Sequence, residues 1–252
     1  ENAAGLRGTG CGEREIASRP EVRESARSGV EAGLFLEINR KFTLEIVRAA
    51  DGALLLTAFV DAVEQFLSVL DSLGAAVAEI VKMDMRQNLR KIARASEKYC
   101  AESMQTLVEC EVKDGLERDS SSGTEALLWL KRTLQFILRL LFRIAHEPSE
   151  TLSLSQSALE AYDSTLRSCH NWILVQMFHG ALLCLPSRER FFSSLGPSEP
   201  SVRTDMARFV LIFGPILRVV EEHYLHAGLE QVCLIRMADF CASAPDPTSF
   251  AC

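Results

Sequence analysis

Apolar residues recur at helical spacing along nearly the whole chain from about residue 24, and the two-residue alternation of strands is nearly absent. The pattern predicts an all-α fold. We expect helices over residues 24–49, 53–71, 75–96, 99–117, 123–146, 152–183 and 203–228, with a short helix after Pro186 and a last turn near 228–239. Between them, Gly74 and the runs 120–123, 147–149 and 196–200 carry Gly, Pro or Ser residues typical of loops.

A chain of 252 residues can form one large domain or two small ones. No internal repeat and no low-complexity tract divides the helical region. We therefore predict one all-helical domain over residues 23–240. The first residues, 1–22, are rich in Gly, Ala, Arg and Glu without any period, which predicts a flexible N-terminal arm, and residues 241–252 are assigned to a C-terminal tail.

One predicted helix is apolar on most of its circumference. Its apolar residues form the runs 127–130, 136–138 and 140–142. A helix of this kind is buried in a core, or lines an apolar cavity, or does both. Its sequence alone favours the core and leaves the cavity open.

Composition and motifs exclude several classes of function. A formal net charge of −7 argues against nucleic-acid binding, and the longest apolar runs fall short of a membrane span. No G-x-S-x-G is present, and the segment 146–150 departs from H-E-x-x-H, so we expect no enzymatic activity, no cofactor and no metal. The 8 cysteines form no C-x-x-C pair, and several lie in apolar helical patterns. This usage favours a reducing, cytoplasmic compartment but leaves secretion open.

The helix predicted over 75–96 carries a polar stripe. Asp84, Asn88 and Lys91 follow an i, i+4, i+7 spacing, which places them on one helix face. An acceptor, an amide and a cation suit a ligand covered in hydroxyl groups better than a metal ion. The alternative is an ordinary solvated face with a salt bridge along the helix.

Two aromatic residues are further candidates for contact with the same ligand. Trp129 lies in the apolar helix, where its ring is either core packing or a platform for a sugar ring. His170 lies near the middle of the helix predicted over 152–183, where it is either a satisfied core histidine or a ligand-binding group.

Four sequence blocks together resemble the glycolipid transfer protein family. They appear in the family's order and at about its spacing over roughly residues 53–228. The blocks are residues 70–74 followed by Asp84, Asn88 and Lys91; residues 126–132; residues 170–173; and residues 178–186 followed by Phe191.

The resemblance implies a two-layer helical sandwich with a lipid headgroup site at its surface and an apolar tunnel between the layers. By similarity, Asp84, Asn88 and Lys91 hydrogen-bond the sugar, and Trp129 stacks under it. Asp84 and His170 then bind the N–H and C=O groups of the ceramide amide.

The resemblance also implies contact with membranes. Trp172 and Ile173 are expected to dock on a bilayer, with Met177 and Phe178 along the lipid's route. The expected function is the transfer of one sphingolipid between bilayers without chemistry, by a protein peripheral on membranes. A ceramide carries on the order of thirty methylenes worth about 0.8 kcal/mol each, so the headgroup site must provide the selectivity among lipids.

The family has two main branches, which differ in the headgroup. Relatives that resemble ceramide-1-phosphate carriers have a cation where Asn88 stands and an Arg where Trp129 stands, so we expect a glycosylceramide as ligand. Lys131, Arg132 and Arg86 lie close enough in sequence to keep a phosphate headgroup open. A lipid sensor or scaffold that binds without transfer is the other alternative. Tyr224 is the candidate for a ligand contact near the C-terminus.

Overall fold

The computed structural model describes residues 33–41, 49, 52–147 and 153–230, which belong to one compact unit. Nine α-helices and two 3-10 segments form this part of the chain, and its only strand-like feature is an isolated bridge between Leu55 and Ser103. The helices are α1 (Leu34–Lys41), α2 (Leu56–Phe66), α3 (Ala75–Tyr99), α4 (Met104–Lys113), α5 (Gly123–His146), α6 (Leu154–Ser164), α7 (Trp172–Leu182), α8 (Arg188–Leu195) and α9 (Glu199–His226), and the 3-10 segments are Leu67–Leu73 and Arg167–Cys169.

Helix α5 is the centre of the fold. It packs against α3 and α9 most extensively and also against α4 and α6. Most of its residues are buried, because its apolar side chains cover nearly the whole circumference. It therefore has the core position that its sequence favoured.

The start of α5 is held by a buried carboxylate. Glu111 of α4 accepts hydrogen bonds from the backbone N–H groups of Gly123 at 2.9 Å and Thr124 at 2.7 Å. These N–H groups lack helical partners, and the positive end of the helix dipole favours the negative charge. A Cβ at Gly123 would lie 2.7 Å from Cβ of Ala95, so glycine permits the close approach of α3.

An aromatic cluster joins α1, α2 and α9. The ring of Phe66 stacks on that of Phe209 with centroids 4.8 Å apart, and Phe209 also contacts Phe35 and Phe213. All four side chains are almost completely buried. Such burial of large rings is among the strongest contributions to a core.

The helix predicted over residues 152–183 is interrupted, so the single-helix prediction is wrong there. The hydroxyl group of Thr165 donates to the Ala161 carbonyl at 2.6 Å, and the side chain of Asn171 accepts from the Leu174 N–H at 3.0 Å. These bonds end α6 and begin α7, because Thr and Asn side chains compete with the helix for backbone groups. His170 thus lies in the turn before α7 and not within a helix.

Other boundaries are closer to prediction. Helix α5 occupies the predicted 123–146, and α9 begins at Glu199, ahead of the predicted 203, after the N-cap Ser198. Of the helix predicted over 24–49, only α1 is described, and the arm at 1–22, the tail at 241–252 and most of the turn predicted at 228–239 lie outside the described residues. None of the described helices has the length and hydropathy needed to span a membrane.

Candidate functional site

A cavity of about 330 Å³ opens between α3, α5 and the chain around α7. The five residues predicted to bind a headgroup, Asp84, Asn88, Lys91, Trp129 and His170, all line it. The rest of its wall is mostly apolar and consists of Ile80, Val81, Thr133, Leu166, Leu174 and Phe178. A cavity with a few convergent polar groups in an apolar wall is the usual form of a small-molecule site.

The polar stripe of α3 forms one side of this cavity. Asn88 is only 4% exposed, and its Nδ2 donates to Oδ2 of Asp84 at 3.3 Å. Its burial argues against the ordinary solvated face that the spacing had left open. Asp84 as a residue is exposed, yet the protein around its carboxyl group raises its pKa, while Lys91, Asn88 and Thr133 act in the opposite direction.

Trp129 has a fixed orientation beside the stripe. Its Nε1 donates to Oε1 of Glu125, one turn earlier on α5, at 2.8 Å. The ring of His170 lies nearly parallel to the indole ring, with centroids 6.0 Å apart. The guanidinium carbon of Arg132 lies 5.1 Å from the indole centroid, a cation–π arrangement.

His170 is held by a tyrosine from α6. Its Nδ1 lies 2.9 Å from the hydroxyl oxygen of Tyr162. Burial lowers the pKa of His170, and the nearby charge of Arg132 lowers it further. Burial likewise raises the pKa of Tyr162. At neutral pH the pair therefore consists of a neutral imidazole and a protonated phenol.

The two cations that follow Trp129 share one carboxylate. Nζ of Lys131 contacts Oε2 of Glu230, and Nε of Arg132 donates to Oε1 of the same residue at 3.1 Å. Neither cation lines the cavity, although Arg132 lies against the ring of Trp129.

Two further candidates do not line the cavity. Arg86 lines a neighbouring groove with Met83 and with Ile80, which also belongs to the cavity wall. Tyr224 is completely buried, and its hydroxyl group donates to the Thr124 carbonyl at 2.7 Å. The structure therefore gives Tyr224 a packing role at the start of α5 and not a position in the site.

Helix α7 presents an apolar surface to solvent. Trp172 is 75% exposed and Ile173 61% exposed, and Leu182 is the only residue of this helix that is buried. We use the name α7 surface for Trp172, Ile173, Leu174 and Met177. Its Leu174 also lines the cavity, so the α7 surface and the cavity mouth are continuous.

Sequence reasoning missed four residues that shape the site. Glu125 and Thr133 lie one helical turn before and after Trp129, a spacing that could have identified them. Tyr162 and Glu230 gave no such signal, because their contacts depend on the tertiary fold. The turn before α7 brings His170 to Tyr162, and the end of α9 brings Glu230 to Arg132. Among the described residues, no group of three His, Cys, Asp or Glu side chains is arranged to hold a metal ion.

Comparison with known proteins agrees with this geometry. The family model for glycolipid transfer protein (GLTP) matches residues 54–197. Glycolipid transfer protein 1 of Arabidopsis thaliana is 30% identical over 190 residues, which cover 74% of this chain and 91% of that protein. The pleckstrin homology domain-containing family A member 8 of Danio rerio is 33% identical over 78% of this chain, and the match spans only 37% of that longer protein.

Solved structures show the same fold. The GLTP-fold structure of FAPP2, described as selecting simple glycosphingolipids, is 28% identical with a TM-score of 0.69, over 79% of this chain and 98% of that one. The mouse ceramide-1-phosphate transfer protein has a TM-score of 0.70 at 21% identity, over 80% of this chain and 100% of that one, a likeness of fold alone. The predicted all-α two-layer fold is therefore confirmed.

Proposed function

The chain belongs to the glycolipid transfer protein family, and on that premise we propose that it carries one sphingolipid between membranes, with a glycosylceramide as its preferred cargo. The transfer needs no chemistry on the lipid. The protein would act in the cytoplasm and bind membranes only briefly at their surface.

One observation carries this proposal: a single cavity has hydrogen-bonding groups along one side and an apolar wall elsewhere. The polar side consists of Asp84, Asn88 and Lys91, which offer both acceptors and donors. Trp129 adds an aromatic ring to the wall of the same cavity. A sugar presents hydroxyl groups at its edge and C–H groups on its face, so it matches both features.

The arrangement of His170 suits the ceramide amide. A protonated Tyr162 that donates to Nδ1 of His170 leaves Nε2 as the N–H of the imidazole. That N–H could donate to the amide carbonyl, while the Asp84 carboxylate accepts from the amide N–H. Each buried polar group left unpaired would cost about 1–3 kcal/mol. His170 and Asp84 would therefore favour lipids that have an amide group.

The apolar wall would receive the hydrocarbon chains. A cavity of about 330 Å³ is at the low end of the range for ligand sites. We therefore expect the apolar side chains of Leu166 and Phe178 to move apart when a ceramide enters. The favourable transfer of many methylenes from water would offset the lost packing.

The cavity mouth supports uptake directly from a bilayer. Leu174 lines the cavity and belongs to the α7 surface, and Ile80 on α3 is both exposed and part of the cavity wall. Trp172 at the beginning of α7 suits the headgroup depth of a membrane, where an amphipathic ring is favoured. A docked protein would thus place the cavity entrance against the lipid.

A ceramide-1-phosphate carrier is the second candidate. Lys91 lines the cavity, and the guanidinium of Arg132 lies beside Trp129, so two cations lie near the headgroup position. Against this candidate, Asp84 would repel a phosphate, and Arg132 is bound to Glu230.

The test is transfer of fluorescent galactosylceramide and of ceramide-1-phosphate between neutral vesicles by the purified chain. We expect faster transfer of galactosylceramide, and we expect Asp84→Val to abolish it while helicity and melting temperature stay close to those of the parent. Asp61→Val is the matched control, because Asp61 is an exposed helical aspartate outside the cavity.

Three outcomes would contradict parts of the proposal. Faster transfer of ceramide-1-phosphate would favour the second candidate. Equal transfer by Asp84→Val and the parent would remove Asp84 from the site. Binding of either lipid without transfer would indicate a sensor or scaffold.

A further inference from the structure

A buried carboxylate contacts the two cations that follow Trp129 on α5. Glu230 is 5% exposed and follows the end of α9, and it contacts both Lys131 and Arg132 of α5. Lys131 is only 2% exposed, whereas Arg132 is partly exposed. The ion pairs therefore join the end of the described chain to the helix that carries Trp129.

The charge of Arg132 acts on two residues of the cavity wall. Its guanidinium carbon lies 5.1 Å from the Trp129 centroid, and its charge helps to lower the pKa of His170. Both of these residues line the cavity. A rearrangement of Arg132 would thus change the field at the headgroup position, since it is too close for salt to screen the charge fully.

The acidic and basic side chains that line the cavity or contact its Trp129 and Arg132 neighbours are equal in number in the set named here. Asp84, Glu125 and Glu230 provide three carboxylates, and Lys91, Lys131 and Arg132 provide three cations. A balanced site suits a neutral sugar. A phosphate monoester carries about −1.5 to −2 charges at pH 7 and needs an excess of cations.

We propose that Glu230 is a specificity-determining residue, which holds Lys131 and Arg132 through ion pairs and thereby disfavours a phosphate headgroup. This inference rests on the proposed function, because it requires a sphingolipid headgroup in the cavity. Glu230 acts through Arg132 and does not itself line the cavity. It also lies beyond residues 54–197, the part matched by the family model.

The experiment compares the transfer rates of ceramide-1-phosphate and galactosylceramide for the parent and Glu230→Gln. We expect the ratio of phosphate lipid to sugar lipid to rise about tenfold, the size expected from one unbalanced charge several Å away. Arg132→Gln in the Glu230→Gln background should return the ratio to within about twofold of the parent's, because Arg132 carries the effect.

A second variant keeps the test valid if Glu230→Gln does not fold. Lys131→Met combined with Glu230→Gln removes both buried charges and still releases Arg132, so the same rise is expected. Glu199→Gln is the control for the loss of one negative charge. Glu199 pairs with Arg203, which binds the Ile144 carbonyl, 15 residues or about 22 Å along α5 from Trp129.

The outcomes separate this inference from the proposed function. A ratio within about twofold of the parent's in a folded Glu230 variant that still transfers galactosylceramide would overturn the role of Glu230 alone. The same rise in Glu199→Gln would also overturn it, because the effect would then follow net charge. A parent that transfers neither lipid would overturn the proposed function, and the role of Glu230 with it.

Discussion

Two apolar regions of this molecule have opposite relations to water. The aromatic cluster of Phe35, Phe66, Phe209 and Phe213 is almost completely buried where α1, α2 and α9 meet. Helix α7 is also mostly apolar, yet it leaves most of its large side chains exposed to solvent. Apolar composition alone therefore does not mark a core, and an exposed apolar patch beside a cavity indicates a surface that meets another apolar phase.

The largest expected difference between these regions is in stability. Phe213→Ala should lower the free energy of unfolding by about 3–5 kcal/mol, because it removes a buried ring and leaves a void. Met177→Ala on the α7 surface should change it by less than about 0.5 kcal/mol. Urea unfolding measures both values, and similar losses would mean that the α7 surface is part of the core in solution.

The next effect is on membrane contact. Trp172→Ala should weaken binding to neutral vesicles about tenfold or more, since inserting a large apolar side chain contributes about 1.5–3 kcal/mol. Leu211→Ala is the control, because Leu211 is a 46% exposed apolar residue on α9. Vesicle flotation or resonance energy transfer measures the binding. Equal effects of the two substitutions would show that α7 has no special part in docking.

A smaller effect is expected from salt. Because the chain is acidic and the α7 surface is apolar, raising the ionic strength from about 0.1 to 0.5 M should change vesicle binding by less than about twofold. The same flotation assay at increasing NaCl concentration tests this. A steep loss with salt would mean that arginines such as Arg86 and Arg90, and not α7, dominate docking.

The smallest effect concerns pH. Burial lowers the pKa values of His170 and His223 in the folded protein, so the unfolded chain binds more protons just below pH 6.5. Stability from these groups is thus present above pH 6.5 and is lost as the pH falls through the folded pKa values. We expect the melting temperature to fall by a few degrees from pH 7 to pH 5.5 and to fall less in His170→Asn. If the melting temperature of His170→Asn fell as much as that of the parent over this pH range, the burial of His170 would be contradicted.

Part of the site was predictable because helical spacing is a local property. The i, i+4, i+7 spacing of Asp84, Asn88 and Lys91 places them on one face of any α-helix, and in this protein that face belongs to α3. The start of α5 follows from a serine N-cap before an apolar run. The break before α7 was not predicted. It depends on side-chain hydrogen bonds of Thr165 and Asn171, which helical periodicity does not reveal.

The sequence by itself determined the all-helical class, the family and the five predicted headgroup residues, all of which are among the residues that line the cavity, because periodicity and motif spacing are read along the chain. The tertiary structure decided which of these groups meet. Tyr162 reaches His170 only because the chain turns between α6 and α7, and Glu230 meets Arg132 across 98 positions of sequence. Such contacts depend on how helices pack, and packing energy comes from the whole core and not from any one segment.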